Sequence, residues 1–209
     1  SGHDWFYETA KWMAAKVSVP VAIHLDHGDS FERCMEMLKL GFTSIMFDGS
    51  ALPVEENAAA TEAVARVCRS FGVPLEAEIG ELCRLDDRGN KIGASNIADP
   101  DVVRQYLKLC HPDSLAIGIG NAHGFYNGPV DIRVEVLEEC RKFTDIPFVL
   151  HGCTGMDEEL VKRSIDSGVA KINFGTQVRC QYVNYLKEGL AEGKDQGHAW
   201  KLSQYAELR

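Results

Sequence analysis

VPVAIHLDHGDSFERCMEMLKL, residues 19–40, holds in one stretch the pattern that decides the fold. An apolar run (19–25) gives way to a cluster of His, Asp and Gly, which passes through Ser30 into a helix-like segment (30–40). The same succession repeats along the chain. Further apolar runs of strand length lie at 43–47, 74–79, 114–119, 147–150 and 170–174, and helix-like stretches at 55–71, 101–109, 134–143 and 157–167. Near-continuous apolar strands alternating with amphipathic helices predict a buried parallel sheet, an α/β class.

Every run ends in polar residues and glycine: HLDHGDS (24–30), DGS (48–50), EAEIGE (76–81), GNAHG (120–124), HGCTG (151–155) and NFGT (173–176). An open doubly wound sheet gathers its site at a switch point between a few strands, whereas a closed barrel draws on nearly all of them. The expected architecture is therefore a (β/α)₈ barrel, one domain over residues 1–209. Six strands are visible where the barrel needs eight. With HGCTG and NFGT as the loops after strands seven and eight, the visible strands are the third to the eighth, and the first two are missing from this chain.

The composition, 45% hydrophobic and 25% charged over 209 residues, is that of a soluble globular domain. A net charge of −9 argues against nucleic acid or an anionic membrane as partner. No apolar run reaches the roughly 20 residues of a membrane span, and SGHDWFYETAKWM at the start does not read as a signal peptide. Seven scattered cysteines without a CxxC pair predict reduced thiols and a cytoplasmic location.

His27, His123 and His151 each close a strand beside glycine. Three imidazoles and an open fourth position make a catalytic zinc site, although at these long separations only the barrel can bring them together. Asp26 is open to three roles: orienting a ligand histidine, acting as general acid or base, or capping the next helix. Asp29 or Ser30 suits the cap better. His24 shares the strand parity of Asp26 and lines the same surface or packs. Asp48 and Glu78, after apolar residues, are alternative metal ligands or ion-pair partners. HGCTG and NFGT each lead from strand to helix, where glycine turns and a helix N-terminus cradle an anion or simply make a capped turn. GIGNAHG fails the dinucleotide spacing, and neither a Walker A sequence nor HExxH occurs. Lys171, read at the start of its strand, is placed away from the catalytic rim and set aside as a Schiff-base lysine.

Taken in order, HLDHGDSFE (24–32), SIMFDGS (44–50), EAEIGEL (76–82), SLAIGIGNAHGFY (114–126), VLHGCTG (149–155) and KINFGTQ (171–177) resemble the class II ketose-bisphosphate aldolase family, which includes the fructose- and tagatose-bisphosphate aldolases. The resemblance runs from about residue 4 to residue 190. It implies a TIM barrel with a catalytic Zn²⁺ on His27, His123 and His151, and Asp26 as the acid/base residue. Asp48 and Glu78 match positions for a second or displaced cation. Gly124, Gly152, Cys153, Thr154, Asn173, Phe174, Gly175 and Thr176 match residues that hold the ketose-phosphate end. The implied reaction is cleavage or formation of a ketose phosphate through a zinc-stabilised dihydroxyacetone-phosphate enediolate, in carbohydrate metabolism such as glycolysis, by a homodimer or homotetramer. The family's Gly-Gly-x-Glu-Asp loop reads Cys83-Arg84-Leu85-Asp86-Asp87 here, with Asp86 in place of the loop Glu as a catalytic candidate, and Gln177 replaces an acidic residue. Two other classes fit the same residues: a non-catalytic binder of metal or sugar phosphate, and a metal-dependent hydrolase on the same barrel.

Overall fold

The computed structural model describes residues 2–85, 91–92, 97–124 and 131–207. In chain order the strands are β1 (His24–Gly28), β2 (Ser44–Phe47), β3 (Leu75–Ile79), β4 (Cys83–Leu85), β5 (Lys91–Ile92), β6 (Ser114–Ile117), β7 (Ala122–His123), β8 (Phe148–Leu150) and β9 (Val169–Ile172). The helices are α1 (Gly2–Ala14), α2 (Phe31–Leu40), α3 (Val54–Phe71), α4 (Pro100–Leu109), α5 (Val134–Arg141), α6 (Glu158–Asp166), α7 (Thr176–Ala191) and α8 (Ala199–Glu207). Several helix starts follow from local chemistry. Ser30 is extended and its hydroxyl accepts from the Arg33 amide, Asp157 accepts from the Glu159 amide, and Asp99 caps α4 ahead of Pro100.

The main sheet is all parallel, in the order β1-β2-β3-β6-β8-β9. Helices α2 to α6 pack each against the next along it. Strand alternation divides the residues between two faces. Leu75, Ala77, Ile79, Leu115, Ile117, Phe148 and Leu150 enter the hydrophobic clusters shared with the helices. The opposite set includes Met46, Glu76, Glu78, Ala116, Val149 and Lys171, linked across the strands by register.

The sheet is strongly curved. Six flat strands would hold their edges about 24 Å apart, yet His24 on edge strand β1 lies 3.4 Å from Lys171 on edge strand β9. What the structure describes is thus a parallel six-stranded half-barrel with its polar face inward. A second small sheet, β5-β4-β7, was not foreseen in the sequence. The first apolar run also starts later than expected: the strand begins at His24, while Val19 and Val21 are exposed on either side of Pro20, which has no N–H for a ladder. No helix among the described residues is long and apolar enough to cross a membrane. Helix α1 buries no residue and exposes Trp5, Phe6, Trp12 and Met13, and α7 buries only Gly189 and exposes Val178 and Leu190.

Candidate metal centre

Asp26 and His27 are neighbours in a strand, so a regular pleat would send them to opposite faces. A bulge changes this. His24 and Leu25 pair with Ser44 and Ile45, but the next pair is Gly28 with Phe47, so β1 holds one extra residue. His27 absorbs it with φ of 52°, a left-handed conformation that costs a non-glycine residue about 1–3 kcal/mol. The bulge turns the His27 ring inward, where Nδ1 donates to Asp48 Oδ2 at 2.7 Å. Asp48 is fixed in turn by the Ser50 amide and hydroxyl. Asp26 stays exposed, and its Oδ1 accepts from Asn173 Nδ2 at 3.2 Å.

His123 and His151 are drawn together by a close approach of two loops. Buried Asn121 accepts from the Ile119 amide and donates to the His151 carbonyl at 2.8 Å. Gly152 has φ of +66°, and a Cβ there would stand 2.2 Å from the Ala122 carbonyl oxygen. Only glycine permits that contact. The ring centroids of His27, His123 and His151 are 4.8–5.8 Å apart.

Ligand atoms of His27, His123 and His151 all lie within 4.8 Å of one another, as do those of His27, Asp48 and Glu78. Tetrahedral nitrogen ligands around zinc stand about 3.4 Å apart, so closure needs roughly an ångström of adjustment. The residues fit a cation on a second count. His27 Nε2 and Glu78 Oε2 are buried without a hydrogen-bond partner, a state that costs about 1–3 kcal/mol per group. The electrostatics agree. Burial, with the Asp48 charge beside it, pushes Glu78 up to about 8. Asp48 is held down at about 2, because hydrogen bonds from His27 and Ser50 outweigh its burial. His27 is raised: burial opposes its charge, but the bond to Asp48 and the nearby Glu78 favour it. Excess negative potential beside a buried carboxylate is what a divalent ion neutralises.

Beneath these groups lies a polar layer that the sequence reading largely missed. Glu76 is buried, accepts from His151 Nε2 at 2.9 Å and receives Lys171 Nζ at 2.8 Å. Burial opposes the Glu76 charge, but His151 and Lys171 hold its carboxyl below the usual range. Lys171 also reaches His24 Nε2, whose Nδ1 is bonded to Ser44 Oγ at 2.8 Å. Burial, and then Lys171, take His24 down to about 4. The placement of Lys171 away from the rim is corrected here: it is the third residue of β9 and touches the carboxylate that supports His151. The signal for Glu76 was the alternation LEAEI, which sends residues 76 and 78 to one face.

The remaining expected site residues fall on the adjoining loops. Asn173 contacts both Asp26 and His151. Buried Thr154 ties its loop to the start of α7, its hydroxyl accepting from the Gln177 amide at 3.2 Å. Gly175 precedes α7 and Thr176 begins it, while Gly124 follows His123 with φ of 132°. The Cys153 thiol is buried against the Leu150 carbonyl, so its backbone is what it offers to a ligand. Phe174 is half exposed and lines an open groove with Val178 and Tyr182. Asp86 lies outside the described residues.

Known proteins resemble this chain in sequence and fold. The family described as fructose-bisphosphate aldolase class-II matches residues 1–207. The chain is 40% identical over 161 residues to a 6-phospho-5-dehydro-2-deoxy-D-gluconate aldolase of Bacillus velezensis, covering 77% of this chain and 55% of that protein. It is 40% identical over 181 residues to a probable fructose-bisphosphate aldolase of Bacillus subtilis, covering 87% and 63%. The crystal structure of the YdjI aldolase from Escherichia coli K12 superposes with a TM-score of 0.79 at 29% identity, over 97% of this chain and 69% of that one. The chain thus spans somewhat over half the length of the curated relatives it matches. With its sheet, strand-end histidines and sequence in agreement, the chain belongs to the class II fructose-bisphosphate aldolase family.

Proposed function

We propose that this protein is a zinc-dependent aldolase that cleaves or forms a carbon–carbon bond in a phosphorylated ketose, and that its six strands are six of the eight of a TIM barrel. One observation carries the reading: ligand atoms of histidines from three separate strand ends converge within 4.8 Å of one another, the Nε2 of His27 being buried without a hydrogen-bond partner. His27, His123 and His151 would hold the ion, with Asp48 and Glu78 able to hold a second or displaced cation beside His27. When bound, the ion supplies Lewis acidity at the substrate ketone. Asp26, exposed at the mouth and oriented by Asn173, takes the proton from the hydroxyl at the bond being cleaved and returns it in the reverse direction. The backbone at 152–154 and the N-terminus of α7, joined through Thr154, hold the phosphate end. The exposed apolar residues of α1 and α7 support completion of the barrel beside the edge strands. The matched relatives carry two different substrate names, which supports a phosphorylated-ketose class rather than one sugar.

The test is retro-aldol cleavage of a panel of ketose phosphates with and without a chelator. Cleavage abolished by chelator, restored by zinc, and lowered at least about 100-fold in Asp26→Ala is expected. Zinc-loaded protein that turns over no member of the panel, or full turnover in Asp26→Ala, contradicts the reading.

A further inference from the structure

His151 has no exposed side-chain surface, and its two ring nitrogens meet partners of opposite character. Nδ1 is 3.3 Å from Asn173 Nδ2, and Nε2 is 2.9 Å from Glu76 Oε1. Asn173 Nδ2 is also 3.2 Å from Asp26 Oδ1. A carboxylate oxygen only accepts, so the Asn173 atom facing it is the NH₂ donor. The same NH₂ faces His151 Nδ1, which must then carry the lone pair. The proton of the neutral ring sits on Nε2 and is donated to Glu76 Oε1. The other carboxylate oxygen of Glu76 is taken by Lys171 Nζ at 2.8 Å, so Oε1 is the one left for the ring.

We propose that Glu76 and Lys171 are positioning residues that select Nδ1 of His151 as its metal-facing nitrogen, a role that rests on the metal-centre reading above. His27 is set the other way, since its Nδ1 is committed to Asp48 and Nε2 is the buried, unpartnered atom. The centre is therefore mixed, Nε2 from His27 and Nδ1 from His151, with a different carboxylate behind each ring. The two carboxylates are also held differently, Asp48 by its neighbour Ser50 and Glu76 by a lysine 95 residues away. Removing the Glu76 clamp leaves the Asn173 amide, at 3.3 Å, as the remaining hold on the tautomer, and a ring with its proton on Nδ1 cannot donate that nitrogen to a metal.

The experiment has two readouts besides activity. Long-range ¹⁵N–¹H spectra of ¹⁵N-histidine protein, stripped of metal, report the tautomer of His151. Competition with a chromophoric chelator reports zinc affinity. The wild type and Glu76→Gln, which keeps an acceptor for the ring, are expected to show His151 protonated on Nε2. Glu76→Leu is expected to show mixed tautomers and zinc affinity lower by about 10–100-fold, with Glu76→Gln recovering most of it. If Glu76→Leu does not fold, Lys171→Met carries the affinity test, because it leaves the carboxylate in place but unclamped; a loss of about tenfold is expected. His151 protonated on Nδ1 in the wild type, or unchanged affinity in the folded variant, overturns this role alone. Wild-type protein that takes up no zinc overturns the metal-centre reading and this role with it.

Discussion

Two polar layers lie one above the other inside the curved sheet, built from the same residue types and opposite in how they are satisfied. In the lower, His24, Ser44, Glu76 and Lys171 each have a partner within 3.4 Å. In the upper, His27 and Glu78 each bury an atom with no hydrogen-bond partner, and His27 also carries a left-handed backbone. The lower layer is what a buried polar cluster looks like when it serves stability and placement. The upper one costs stability until something positive enters it. The difference locates function more sharply than residue type does, because histidine and carboxylate occur in both.

The largest expected effect breaks the upper layer. His27→Ala removes one of the three proposed ligands, and zinc per chain measured by elemental analysis should fall from about one to a small fraction of that, with little loss of stability. Retention of a full equivalent would remove His27 from the centre. Next is the contact that joins the loops of His123 and His151. Gly152→Ala combines left-handed strain with a Cβ 2.2 Å from the Ala122 carbonyl. It should cost about 2–5 kcal/mol in urea unfolding and reduce zinc uptake together; a loss below about 1 kcal/mol would mean that the loops can part freely.

The two layers should also titrate in opposite senses in metal-free protein. Glu78, pushed up from 4.5 to about 8 by burial and Asp48, favours the protonated form in the fold. Its contribution to stability is complete below pH 4.5 and is lost as pH rises through 8. His24, taken from 6.5 down to about 4 by burial and Lys171, favours the neutral form. Its contribution is complete above pH 6.5 and is lost as pH falls through 4. Each slope is bounded by one proton, about 1.4 kcal/mol per pH unit. Glu78→Gln should therefore gain on the wild type toward pH 8 and His24→Gln toward pH 4, read from denaturation midpoints. Profiles parallel to the wild type in both variants would erase the electrostatic contrast. The smallest effect sharpens the boundary of the site. Thr154→Val strands the Gln177 amide and should cost about 0.5–1.5 kcal/mol, with zinc content unchanged.

Much of this was legible in the sequence, for identifiable reasons. Five of the six main strands were expected to within two residues at either end, because buried parallel strands read as apolar runs bounded by turn residues. The three histidines, which the fold brings together, could be singled out because each stands where such a run stops. Three other features depended on what a residue meets across the fold. The bulge after Leu25 arises where Gly28 packs so closely that a Cβ would stand 2.5 Å from the Met46 carbonyl oxygen, and Met46 is 18 positions along the chain. Lys171 looked like the base of a strand; its direction is set by pairing with Val149. Asn121 resembled any polar loop residue until its amide met the His151 carbonyl.

The curvature of the sheet has a consequence for the order of assembly. The His24–Lys171 and Asp26–Asn173 contacts each join residues 147 apart, whereas His27 and Asp48 are separated by only 21. Loop-closure entropy must be met before such distant contacts return anything. As the chain is made from its N-terminus, all three histidines are present before Lys171 and Asn173 exist to orient His151. The candidate ligands therefore precede their geometry, and the proposed centre would be completed only when β9 docks.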